Sequence, residues 1–165
     1  MKKIFKYIFA GMAAMSVVAC SEDALETSPS SSVSGNELLG TATNALISLN
    51  GVYRAMYTAG VSNSSNTHQC FGITAYNLVA DVMGEDCIMN GQGSGWFWYD
   101  CVYNVKSRYT STGWRSYDMW NGYYTWISNV NYILAEEETM SGSETEKNYV
   151  LGQAYAVRAY SYFML

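Results

Sequence analysis

The sequence is nearly without proline and histidine, with one of each among 165 residues. The single histidine, His68, would have to serve as the base of any Ser-His-Asp triad, and no nucleophile-elbow motif accompanies it. It lies in the polar stretch SNSSNTHQC and reads as a solvated loop residue. Zinc is disfavoured because no two cysteines stand at Cys-x-x-Cys spacing and only one imidazole is present. No metal and no cofactor is expected. Basic charge is also scarce, with nine Lys and Arg against fourteen Asp and Glu. That balance argues against nucleic acid as a partner, since nucleic acid needs clustered Lys and Arg, and against electrostatic docking on anionic lipid. Long apolar runs are missing too. The uncharged stretch 7–19 has thirteen residues, whereas a spanning helix needs about 20.

What the amino terminus does have is the layout of an export signal. Lys2, Lys3 and Lys6 form a basic start, the apolar stretch follows, and small residues precede Cys20. Val17-Val18-Ala19-Cys20 resembles the bacterial lipobox, which implies cleavage before Cys20 and acylation of its thiol and new amino group. Residues 1–19 are therefore read as a lipoprotein signal peptide. Ser21 is not an aspartate, the residue that in many such proteins directs retention at the inner membrane. The acidic pair Glu22 and Asp23 resembles the surface-export signal of Bacteroidetes lipoproteins. Residues 20–35 are rich in Ser and Thr, hold the only proline, and read as a flexible tether. Removing the signal leaves six bases against fourteen acids, a net charge of −8.

The remaining segment, 36–165, is long enough for one core, and its few charges and many aromatics mark it as globular. Four helices are expected from apolar spacing. The first covers about 34–59, with Ser34 and Glu37 at capping-box spacing and Ala42, Ala45, Leu46, Leu49, Val52, Tyr53 and Met56 on one face. The second covers 71–83, with Ala75, Leu78, Val79 and Val82 as its stripe. The third covers 115–138, with Tyr117, Trp120, Tyr124, Ile127, Asn131 and Leu134 as its stripe. The fourth starts near Glu144, carries Tyr149, Gly152, Ala156, Ala159, Tyr160 and Phe163, and runs to the last residue with no cap. The chain is therefore expected to be the amino-terminal part of something longer. An oxidising exterior permits a disulfide among Cys70, Cys87 and Cys101, leaves at least one of them unpaired, and does not choose the pair.

Residues 87–114 form a long segment rich in Gly, Asn and aromatics. A loop of that length in a compact domain is often functional, and WFWYDCVYNV within it has the composition of a short hairpin. All five tryptophans lie between 96 and 126. Trp120 falls on the third helix's stripe and reads as core, and Trp126 beside it reads as packing. Trp96 and Trp98 follow the polar, glycine-rich run NGQGSG. Two readings of them stay open. A flat ring suits the apolar face of a pyranose, with Asp100 and Asn104 as the nearest groups for its hydroxyls. Alternatively both rings pack under the loop against Phe97 and Tyr99.

Five motifs in order resemble the SusD/RagB family of outer-membrane nutrient-binding lipoproteins. They are the tether CSEDALETSPSSSVS, the helix ALISLNGVYRAMY, the acidic turn LVADVMGED, the helix MWNGYYTWISNVNYILAEEE and the helix GQAYAVRAYSYFML. The resemblance implies an all-α fold of tetratricopeptide-repeat-like helix pairs with a long aromatic-rich loop, the third and fourth helices forming the first pair. It implies a lipid-anchored outer-membrane protein facing the exterior, which captures glycan or peptide and hands it to a TonB-dependent transporter of the SusC type. It implies no enzyme activity. In the family's starch-binding member a tryptophan and an asparagine from this part of the chain touch ligand, which carries over loosely to Trp96 and Trp98.

Two other function classes share some of these features. A surface glycosidase needs paired carboxylates, and Asp81, Glu85 and Asp86 are close in sequence, but acids at a glycine-marked helix end ordinarily face solvent. A helical-repeat adaptor that binds protein would need no ligand loop.

Overall fold

A computed structural model of the chain describes residues 38–59, 67–84, 87–102 and 109–165. The signal, the tether and the Ser34/Glu37 pair lie outside the described residues. The described elements are α1 (Ala42–Ala55), a 3₁₀ turn η1 (Thr67–Gln69), α2 (Ile73–Met83), the single turn α3 (Trp98–Cys101), α4 (Trp114–Ala135) and α5 (Glu144–Met164). No strand occurs among them, and the fold is all-α. Among the described residues an isolated bridge joins Thr41 to Ser141.

Local chemistry sets the helix ends. Thr41 is extended, with φ −130°, and its Oγ1 accepts the Asn44 N–H at 3.1 Å to start α1. Ser143 starts α5 with a full capping box. Its Oγ accepts the Glu146 N–H at 3.3 Å, and Glu146 Oε2 accepts the Ser143 N–H at 2.9 Å. Gly84 closes α2, donating to the carbonyls of Ala80 and Asp81.

α4 and α5 form an antiparallel pair joined by a short polar turn, and α1 packs on both. The turn is pinned to the start of α1, because Ser141 N–H donates to Gly40 O and Ala42 N–H to Ser141 O, both at 2.9 Å. The core comprises Ala45, Leu49 and Val52 of α1, Tyr76 and Val79 of α2, Tyr123, Trp126, Val130 and Ile133 of α4, and Val150, Ala154 and Val157 of α5. Tyr76 stacks on Tyr123 and Trp126, with ring centroids 5.4 and 6.1 Å away. Its hydroxyl donates to the Asp118 carbonyl at 3.0 Å. Gly122 makes room for that ring, since a Cβ there would sit 2.4 Å from the Tyr76 hydroxyl.

The expected stripe of α1 is largely the buried one. Ala75, Val79 and Val82 of α2 are buried as expected, while Leu78 is exposed. The stripes of α4 and α5 differ from expectation. Tyr117, Trp120 and Tyr124 are exposed, and Trp120 is surface rather than core, at 57 % exposure. Ile127 and Leu134 of the expected α4 stripe are buried as expected, and α4 also turns Gly122, Tyr123, Trp126 and Val130 inward. On α5 the buried face is Val150, Leu151, Ala154, Val157 and Ser161, while Tyr149, Gly152, Ala156, Ala159 and Phe163 are exposed. Tyr and Trp carry a polar tip and tolerate water, so rings at helical spacing mark either face. Branched aliphatics at the same spacing have no such tip and identify the buried side. The described part of WFWYDCVYNV is the helical turn α3 rather than a hairpin.

Candidate functional site

The loop before α3 is a chain of left-handed backbone positions. Gly93 has φ +52°, Gly95 φ +85° and Phe97 φ +57°. Glycine takes such values freely, whereas phenylalanine does so at a cost of about 1–2 kcal/mol. Three contacts hold Phe97 there. Its N–H donates to Gln69 Oε1 at 2.9 Å, its ring meets Phe71 edge-on at 6.1 Å, and the Arg115 guanidinium lies 5.0 Å from the ring centroid. Phe97 is thus buried under the loop, and its neighbour Trp96 is directed outward.

Arg115, in the first turn of α4, braces this arrangement. Its Nη2 lies 2.8 Å from Asp100 Oδ2 and its Nε 3.2 Å from Oδ1. Nη1 donates to the Gln69 carbonyl at 2.8 Å. The guanidinium also stacks on Trp114 at 4.2 Å. Tyr109 donates its hydroxyl to Asp100 Oδ1, and burial, then that bond, pushes the Tyr109 pKa up. A small cavity of about 180 Å³ opens beside these groups, lined by Gln69, Gly95, Tyr99, Asp100, Tyr109 and Arg115, with Trp114. It is smaller than the 300–1,000 Å³ usual for ligand pockets. Behind it, Asp118 is fully buried, and neither carboxylate oxygen has a conventional hydrogen-bond donor. Burial pushes its pKa up, and the Cys70 thiol and the Arg115 charge pull the other way.

Trp96 is half exposed, and its ring lies 4.9 Å from that of His68, tilted by 33°. Together the two rings form an open aromatic surface at the edge of the loop. His68 is exposed as expected, but it partners a ring. Trp98 is half-buried and faces a second cavity of about 390 Å³, lined also by Val82, Cys87, Ile88, Met89 and Cys101. Asp100 is buried and accepts from Arg115 and Tyr109. Asn104, Glu85 and Asp86 lie outside the described residues, and Asp81 is exposed on α2. The structure therefore separates Trp96 from Trp98 and brings Asp100 to Arg115, Gln69 and Tyr109, none of which stood out in the sequence. One signal was available: Arg115 is one of few bases, set among Trp114, Tyr117 and Trp120. Among the described residues no three of His, Cys, Asp and Glu gather as metal ligands, and no helix is long and apolar enough to cross a membrane.

The class is that of an all-α protein whose helix pair carries a braced aromatic loop. The family model of SusD-like proteins, described as starch-binding and associating with the outer membrane, matches residues 25–165, and the chain belongs to that family. It is a family of binding proteins. No curated protein and no solved structure matches the chain.

Proposed function

We propose that this chain captures starch-like glycan at the Trp96 edge of the loop, at the outer face of the outer membrane. In this reading acylated Cys20 anchors it, and the captured glycan passes to a TonB-dependent transporter. The observation that carries the reading is Trp96. Its large ring is half exposed on a loop whose backbone is held in place from below, and a pre-positioned ring loses little freedom when a sugar stacks on it. His68 widens that surface. Trp98 offers a second contact on the other side of the loop, Asn104 a hydroxyl partner, and Asp100 holds the loop through Arg115. The family's description, starch-binding and associating with the outer membrane, supports the ligand class and the compartment. The lipobox and the acids behind Cys20 support the anchor and its orientation.

The test is retention of the full-length protein on immobilised starch, with melting temperature measured alongside. Trp96→Ala is expected to lose most of its affinity, at least the roughly 0.5–1.5 kcal/mol that an aromatic contact contributes beyond area burial, with melting temperature unchanged. Unchanged retention would refute Trp96 as the contact. Retention of peptide in place of starch would change the ligand class.

A further inference from the structure

We infer that Cys87 and Cys101 form an intrachain disulfide that staples the tryptophan loop. Both line the same cavity of about 390 Å³ beside Trp98. The Met89 backbone makes a hydrogen bond to the Cys101 thiol, and Met89 is two residues after Cys87. Two residues of chain span at most about 7 Å, so the Cys87 backbone is kept near the wall of the cavity that carries the Cys101 thiol. Burial first, and then charge on Asp100 and Cys87, push the Cys101 thiol up, which also sets Cys87 near it. Cys70, the third thiol of the globular segment, is set apart. It is buried behind the loop, where it contacts Asp118.

The compartment favours the bond. A chain with an export signal and a lipobox matures where disulfides form and persist. The two thiols differ in access, Cys87 being exposed and Cys101 half-buried. Cys87 therefore meets the oxidant, a protein disulfide of the exported space. Its thiolate attacks that S–S bond, giving a mixed disulfide and releasing one oxidant thiol. Cys101 then attacks the Cys87 sulfur and displaces the second. Two S–H bonds are lost and one S–S bond is gained in this chain. Two electrons and two protons leave with the oxidant, which is reduced to a dithiol.

The closed ring runs from Cys87 to Cys101, fifteen residues including Gly91, Gly93 and Gly95. Glycine loses more backbone freedom on ordering than any other residue. A cross-link removes part of that freedom from the unfolded chain in advance. The staple thus maintains the left-handed path through Gly93, Gly95 and Phe97 together with the brace that Arg115 supplies.

The experiment uses the full-length protein from cells that export it, with thiols alkylated under denaturing conditions at harvest. Cleavage at methionine then places Cys70 on fragment 57–83, Cys87 on 84–89 and Cys101 on 90–119. The expected result is that 84–89 and 90–119 travel together until reduced, while 57–83 carries the alkyl group. Recovery of alkylated 84–89 without reduction, or any cross-link that includes 57–83, overturns the proposal. Cys87→Ser, Cys101→Ser and the double variant should lower the melting temperature equally, and the difference from wild type should vanish after reduction. Losses that add in the double variant also overturn it.

Discussion

Arg115 and Asp100 form a forked, buried ion pair, with Nη2 2.8 Å from Oδ2 and Nε 3.2 Å from Oδ1. The pair joins the start of α4 to the turn that follows Trp96. Through the Gln69 carbonyl and side chain it also ties in the 3₁₀ turn that carries His68. Three segments distant in sequence are thereby held on one guanidinium. Removing either partner leaves a buried charge without compensation, which costs about 3–5 kcal/mol. Arg115→Met and Asp100→Asn are each expected to lower the urea midpoint by a corresponding amount. The double variant should lose less than the sum of the two. A single-variant loss under about 1 kcal/mol would mean that the pair is effectively solvated.

Gly72 occupies the junction between α1 and α2. Its φ is +70°, and a Cβ there would sit 1.9 Å from the Met56 carbonyl oxygen. That carbonyl accepts the Ile73 N–H at 2.8 Å, so it cannot withdraw without breaking the link. Gly72→Ala is expected to cost at least the 1–2 kcal/mol of a left-handed residue plus the clash, read as a fall in melting temperature. A neutral result would show that the junction can rearrange.

Trp120 and Trp126 lie on the same helix and differ in exposure, 57 % against 0 %. Trp126→Ala should cost about 3–5 kcal/mol by cavity formation. Trp120→Ala should change stability by no more than about 0.5 kcal/mol. Chemical denaturation of the two variants measures the contrast directly, and similar losses would contradict the assigned faces.

Two carboxyl groups give opposite pH dependences. Burial raises the pKa of Asp118 in the folded chain, against the Cys70 thiol and the Arg115 charge. The folded state therefore binds the proton more tightly than the unfolded one, and stability falls as pH rises from the ordinary carboxylate range through the raised value. Glu146 is lowered, by the Ser143 hydroxyl and then the Ser143 backbone N–H. Its contribution is present above the ordinary carboxylate range and is lost as pH falls through the lowered value. Asp118→Asn should flatten the first slope and Ser143→Ala the second, as seen in melting temperature against pH. Unaltered profiles would remove these groups as the cause.

Cys20→Ala tests the anchor. The variant is expected to keep residues 1–19 and to lose acylation, because signal cleavage at a lipobox requires the cysteine. Each buried CH₂ of an acyl chain contributes about 0.8 kcal/mol to membrane attachment, so the acylated form is held stably. Mass spectrometry of the mature wild-type chain reads the lipid. Normal processing and attachment of the variant would disprove the assignment.

The four longer helices and their order were legible because each rests on neighbours in the chain, whereas the single turn α3 was not. The glycine after Met83 and the repeat of Ala45, Leu49 and Val52 are local patterns, as is the Ser143/Glu146 capping box, which the structure brought out. The faces of α4 and α5 were misread where aromatics outnumber aliphatics, since a Tyr or Trp stripe can point to core or to water. The glycine-rich run before Trp96 announced a loop worth inspecting. It gave no hint that Arg115 and Gln69 would meet Asp100 and Phe97, because those contacts join residues 15 to 46 positions apart.

By itself, then, the sequence determined the helical class and the family, both carried by short-range spacing and ordered motifs. Only the tertiary structure decided which aromatic of the loop is exposed. Trp96 and Phe97 are adjacent aromatics in a glycine-rich loop, with no periodic pattern to separate them. Phe97 is inside because the Gln69 side chain takes its N–H and the Arg115 cation covers its ring. Trp96 precedes the left-handed turn at Phe97 and is outside, where its ring lies beside that of His68.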